Sequence, residues 1–302
     1  MTSAYGFFDS SYFQRTPYIT AEEYTSAPTA MDTSNLVAGG PAPNAIALVE
    51  TIARASSWID QYCMGAWGSL AATSNQENAR VWGSYRNTLL VHTKYWPVLE
   101  VQAFTYSVIP GPGYAASITP STNITVYPQQ FEVSLLSAFS WGLGAPSGIV
   151  RGVEYTCQFQ YVNGWPTSTL SASVAAGAAS ITPISTMGIY PGTTLTMYDM
   201  PYDEQITVAS TYVPHTTPVP LTAGTQYAHA TGVMVSNLAP AVKEAAILLT
   251  SALIKQRGSA ALEVADMGAI THQGSGFTMG EGDDVGLAME LIHPLKQTFV
   301  GT

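Results

Sequence analysis

The segment Leu238–Gly258, LAPAVKEAAILLTSALIKQRG, decides how the rest of the chain is read. Its residues Val242, Ala245, Ala246, Leu249, Ala252 and Leu253 recur at three- and four-residue spacing, the period of one buried helix face. Pro240 suits a first helical turn, where its missing N–H costs nothing. Gly258 stops the helix, with Lys255 and Arg257 complementing the dipole in the last turn. Such a helix is about 27 Å long. A second helix answers it upstream. Asn44 is placed to cap it, and Ile46, Val49, Ile52, Ala53, Ser56, Ile59 and Cys63 fall on one face. The expected fold is therefore α+β. It has a helical core of two long helices (Ile46, Val49, Ile59, Val242, Ala246, Leu249, Leu253), a short C-terminal helix, an antiparallel strand block and an inserted small all-β domain.

Between the two helices the period changes. Arg80–Val91, Gln102–Ile109 and Gly152–Pro166 alternate apolar and polar residues in strand fashion, and IPGPG at Ile109–Gly113 is a turn. Residues 167–236 are rich in Ser, Thr, Ala and Gly, with short apolar runs between turn glycines, which marks a separate β module. This divides the chain into an N-terminal arm (1–43), a body (44–166 and 237–302) and an inserted β domain (167–236). The arm is crowded with aromatics, Tyr5, Phe7, Phe8, Tyr12, Phe13 and Tyr18 among them, and these are expected to dock on the body or on a neighbouring subunit. Near the other end, Asp283 and Asp284 open a last helix that Pro294 closes.

Composition narrows the function. Only 10% of the 302 residues are charged, against about 25% in ordinary soluble domains, and interface cores are depleted in charge in the same way. The net charge is −10, and no Lys or Arg lies between Arg151 and Lys243. A chain of that kind does not grip nucleic acid, which needs clustered cations. Two cysteines, Cys63 and Cys157, are too few for a disulfide framework and read as buried free thiols. No signal peptide or membrane span is expected, since the longest apolar run, Ala245–Ile254, is well short of about 20 residues.

The order of pieces resembles the head–tail connector (adaptor) proteins of tailed bacteriophages. The residues that carry the likeness are Ala47–Cys63, Pro97-Val98-Leu99-Glu100-Val101, Tyr161-Val162-Asn163-Gly164-Trp165-Pro166 and Leu238–Arg257, with a short helix at Leu287–Leu295. The long acidic arm and the β module depart from that pattern. What the resemblance implies is a homo-oligomeric ring, typically a dodecamer, in the virion neck, assembled in the host cytoplasm. Its partners would be the portal protein above and a neck or tail-completion protein below, with DNA passing through the channel unbound. Such a ring needs two different complementary faces on each subunit. Gly274, Gly276, Phe277, Leu287 and Leu291 form the candidate portal-contact segment. A chain cut after Arg257 is expected to fold and to lose portal binding.

Catalytic chemistry has no foothold. His92, His215, His229, His272 and His293 stand apart from one another, with no HExxH or CxxC. No catalytic, cofactor-binding or metal residues are expected. His229 reads as a satisfied strand or interface histidine. Asp203-Glu204 reads as a solvated turn, because neighbours on a strand point to opposite faces. Gly274, Gly276 and Gly280 do not match the dinucleotide fingerprint. Trp82, Tyr85, Tyr95 and Trp96 are expected to pack at a ring interface rather than form a sugar platform. The alternative function is a tail- or fibre-associated module whose β insert recognises a host glycan. A hydrolase with dispersed catalytic residues ranks last.

Overall fold

The computed structural model describes residues 17–29, 31–65, 68–84, 88–109, 116–118, 120–134, 149–256 and 284–297. In chain order the elements are α1 (Ala21–Ser26), α2 (Pro41–Met64), β1 (Thr73–Trp82), β2 (Thr88–His92), β3 (Val98–Ile109), β4 (Ala116–Ile118), α3 (Pro120–Asn123), β5 (Ile124–Tyr127), β6 (Gln130–Ser134) and β7 (Glu154–Asn163). Then come β8 (Thr167–Thr169), β9 (Ser180–Ile181), β10 (Thr194–Tyr198), β11 (Glu204–Thr207), β12 (Val219–Pro220), β13 (Met234–Ser236), α4 (Pro240–Gln256), α5 (Asp284–Ile292) and a final 3-10 turn.

The expected α+β architecture, organised on a helical core of two long helices, is overturned. Strands dominate, in four antiparallel sheets among the described residues, and helices are few. The buried apolar side chains fall into three clusters, of which one is helical. The physical reason is that both strand regions close cores of their own. Neither is a skin laid over the helices.

The helical cluster joins α2, α4 and α5, with Leu48, Ile52, Ala55 and Ile59 of α2 meeting Val242, Ala246, Leu249 and Leu253 of α4. Ala288 and Ile292 of α5 are fully buried against them. Ile46 and Val49 do not belong there. They are 62% and 52% exposed, on the outer face of α2. Four successive apolar residues, Ile46 to Val49, fix the helical period but leave its phase open, and the arm selects the phase. Tyr18, Ile19 and Tyr24, all at most 1% exposed, fill the groove beside α2. The Tyr18 hydroxyl bonds the buried Asp60 carboxylate, which also accepts the Leu70 N–H at 2.8 Å. Burial, reinforced by the charge of Asp60, holds the Tyr18 phenol well above its usual pKa. Arm residues Tyr5, Phe7, Phe8, Tyr12 and Phe13 lie outside the described residues.

Asn44 is not the cap. Pro41 opens α2 behind Gly40, and Asn44 sits inside the helix. There its Oδ1 accepts the Val37 N–H at 2.8 Å while its amide donates to the Ser34 carbonyl, tying the arm to the helix. Both cysteines are free and buried, and burial pushes each thiol up to about 12. Buried thiols of that kind are inert.

The strand block is a two-layer sandwich. One sheet runs β1-β7-β3-β4 and the other β2-β6-β5. Phe131 of the second sheet sits edge-on to Phe104 and Phe159 of the first, at 5.7 and 5.1 Å between ring centroids. Edge-to-face pairs of this sort add to simple burial. After β7 the chain turns at Gly164, whose φ of +96° and 2.7 Å approach to the Leu70 carbonyl exclude a side chain.

Residues 167–236 hold two further sheets, β11-β10-β13-β8 and β12-β9, around a cluster that includes Leu170, Leu195, Met197, Val208 and Val235. The first and last strands of this segment pair with each other, Thr167 opposite Ser236. The chain therefore leaves the body and returns to it at one place. Several contacts press the module onto the body. Gly188 (φ +78°) lies so close to Ala72 that a Cβ there would stand 2.6 Å from it. Glu100 of β3 accepts from the Tyr190 hydroxyl at 2.9 Å and faces His215 Nε2 at 2.8 Å.

Candidate functional site

Arm, β module and α4 meet around an open pocket of about 230 Å³. Each wall has a local cause. The arm contributes α1, a single turn and a half fixed by a capping box. Thr20 accepts the Glu23 N–H, and Glu23 returns a bond to the Thr20 N–H at 2.6 Å. The module contributes the β10–β11 connection, in which Asp203 Oδ1 accepts the Asp199 N–H at 2.6 Å and closes the turn. The floor is α4, through Lys243 and Ile247.

Lys243 is the one Lys or Arg among the described residues that line the pocket, and it is 7% exposed. Its ammonium pairs with Glu23 and lies 3.5 Å from the centroid of the Tyr198 ring. Burial lowers its pKa, and the charge and hydrogen bond of Glu23 oppose that shift. One lysine thus joins the three parts of the molecule, since Glu23 belongs to the arm and Tyr198 to the module.

Behind the module wall lies a second polar cluster. His229, its side chain wholly inaccessible, has Nδ1 2.9 Å from Asp199 and Nε2 2.7 Å from Glu204. Two carboxylates facing both ring nitrogens make two hydrogen bonds when both nitrogens carry protons. Glu204 also accepts the backbone N–H of Gln226 at 2.6 Å and of Tyr227 at 3.4 Å. The reading of Glu204 as part of a solvated turn is thus corrected: it is 7% exposed and points inward, while Asp203 beside it is exposed. The strand alternation that separates the two carboxylates is what drives one of them under the surface. Above this cluster the Tyr202 and Tyr227 rings lie 5.2 Å apart, and the two residues are 51% and 40% exposed.

Of the candidate portal-contact residues, Gly274, Gly276 and Phe277 lie outside the described residues. Leu287 is 47% exposed on α5, while Leu291 packs against the helical cluster. The structure undercuts the expectation that a chain ending at Arg257 would fold, because α5 supplies the fully buried Ala288 and Ile292. The tail is pinned as well, with the Gln297 N–H donating to the Cys63 carbonyl at 2.7 Å. Of the four aromatics, Tyr95 is buried, Trp82 is 63% exposed at the far end of β1, Trp96 is half-buried, and Tyr85 lies outside the described residues.

The sequence carried no sign of the pocket. Its walls come from residues near 20, 200 and 243, and only the burial of Lys243, an isolated cation, could have drawn attention. Among the described residues no group of His, Cys, Asp and Glu is placed to hold a metal ion, and no helix is long and apolar enough to cross a membrane. Comparison with protein-family models, with curated proteins and with solved structures found no match.

Proposed function

We propose that this chain is a structural virion protein, a subunit of the ring that joins capsid to tail beneath the portal and leaves a channel for DNA. The observation that carries the reading is a pair of apolar surfaces on unrelated elements of a charge-poor body. Ile46 and Val49 stand exposed on the outer face of α2. Trp82 (63%) and Val150 (47%) stand exposed at the C-terminal end of β1, where Gly83 packs on the Val150 carbonyl. Large apolar side chains gathered in patches on a soluble protein mark association sites. Two unlike patches suit a heterologous contact, which generates a ring when the rotation closes. The role is mechanical, and a net charge of −10 suits a duct that must not retain phosphate.

Because α5 is part of the helical cluster, the informative variant for portal binding is Leu287→Asp, at an exposed position. The expected outcome is a folded chain with weakened binding to the portal protein in a pull-down. Unchanged binding removes α5 from the contact. The alternative of a tail- or fibre-associated binding module draws on a different surface, the Tyr202–Tyr227 pair. It predicts ligand binding by a chain that stays monomeric beside portal protein.

A further inference from the structure

We propose that the pocket between α1, the β10–β11 connection and α4, together with the Tyr202–Tyr227 pair that starts on that connection, binds a neutral sugar residue. The inference stands independently of the ring reading.

Three observations converge on it. The first is size and lining. About 230 Å³ lies below the roughly 300–1,000 Å³ of pockets for drug-sized ligands and suits one small polar group entering from an open side. Asp199, Asp203 and Glu22 present carboxylates that accept hydroxyl protons, while Met200 and Ile247 supply apolar wall. The second is the tyrosine pair. Tyr202 lies between Met200 and Asp203, both of which line the pocket, and its ring meets that of Tyr227 at 43°. Exposed aromatic rings stack well on the C–H face of a pyranose, and Tyr offers this area at low entropic cost.

The third is rigidity. The loops carrying Tyr202 and Tyr227 are fastened from below by Asp199, His229 and Glu204, through the bonds at 2.9 and 2.7 Å and the two N–H bonds to Glu204. Burying ionisable groups such as His229 and Glu204 is costly unless they are hydrogen-bonded. Here they are paired, and what they hold in place is the two exposed rings. A site prepared in this way loses little freedom when its ligand binds.

Charge selects the ligand class. Glu23 is committed to Lys243, and Asp199 and Glu204 share the single imidazole of His229, so carboxylates, Glu22, Asp203 and Glu244 included, outnumber cations around the pocket. Uronic and sialic acids are therefore repelled. A partner's lysine or arginine would suit those carboxylates, but the buried cation position over Tyr198 is already filled from within by Lys243. A neutral, hydroxyl-rich ligand meets neither obstacle.

The test uses the full chain on a glycan array carrying neutral hexose, N-acetylhexosamine, uronate and sialate ends, with an oligolysine peptide as a cationic probe in parallel titrations. The expected result is binding to a subset of neutral glycans. The Tyr202→Ala/Tyr227→Ala double variant should weaken it roughly ten-fold or more, as truncating aromatic anchors does, with an unchanged thermal midpoint. Asp203→Asn, at an exposed position, should weaken the same glycans. The proposal is overturned by absence of neutral-glycan binding, by binding confined to acidic glycans or to oligolysine, or by neutral-glycan binding that the double variant leaves intact.

Discussion

Single residues separate what folds the chain from what it presents. Leu249 is fully buried between α2 and α4, so Leu249→Ala should cost about 2–5 kcal/mol by urea unfolding, the usual range for a core leucine truncated to alanine. Ile46 is 62% exposed, and Ile46→Asp should leave the urea midpoint within about 0.5 kcal/mol of the parent while weakening self-association in sedimentation. A large loss of stability from Ile46→Asp would place that residue back in a core. Tyr18→Phe removes a hydroxyl shared by Asp60 and the Leu70 N–H. Asp60 and the Leu70 N–H keep their bond to each other at 2.8 Å, so the cost should be that of a lost hydrogen bond, about 0.5–1.5 kcal/mol. The arm should then become the first site of proteolytic cleavage, and a variant as resistant as the parent would show that the arm is held by packing alone.

Elements were legible in the sequence to different degrees. The period of α2 and α4 could be read directly, because three- and four-residue spacing has no strand counterpart. The phase of α2 could not, since Ile46 to Val49 offers apolar residues all round, and the selection is made by Tyr18 and Tyr24, which arrive from twenty or more residues away. Turn glycines punctuate only part of 167–236: none lies between Gly192 and Gly224, where β10, β11 and β12 follow one another. That the strand regions would build their own cores, instead of bracing a helical one, depends on long-range pairings such as β1 with β7 and β8 with β13. Local pattern does not encode those. The pocket was illegible for the same reason. The docking of the module on the body makes a prediction at this scale. Gly188→Ala puts a Cβ at a φ of +78° and 2.6 Å from Ala72. It should speed protease cleavage at the 166–167 and 236–237 junctions while leaving the module itself resistant. Equal cleavage rates in parent and variant would mean that Glu100 with Tyr190 and His215, together with Lys243 over Tyr198, suffices to hold the module.

At the scale of the whole molecule, pH reports on burial. The thiols of Cys63 and Cys157 and the phenol of Tyr18 have folded-state pKa values raised by burial. Stability from these groups is complete below their unfolded values, about 8.5 for Cys and 10 for Tyr. It is lost as pH climbs toward the folded values, about 12 for the thiols. Lys243 works in the opposite sense, because its lowered folded-state pKa means that the unfolded chain holds that proton more tightly. Burial raises Tyr62, Tyr106, Tyr161, Tyr190, Tyr198 and Tyr212 as well, so urea midpoints should fall from pH 8.5 upward, and a flat or rising series would contradict the burial of these thiols and phenols.

Assembly is the central claim. Single-particle electron microscopy of the full chain mixed with its portal protein tests it most directly. The account predicts a closed ring with a central channel, in which the α2 face bearing Ile46 and Val49 meets the Trp82–Val150 corner of the next copy. Particles that stay monomeric beside the portal, or rings that leave both of those surfaces in solvent, would contradict it.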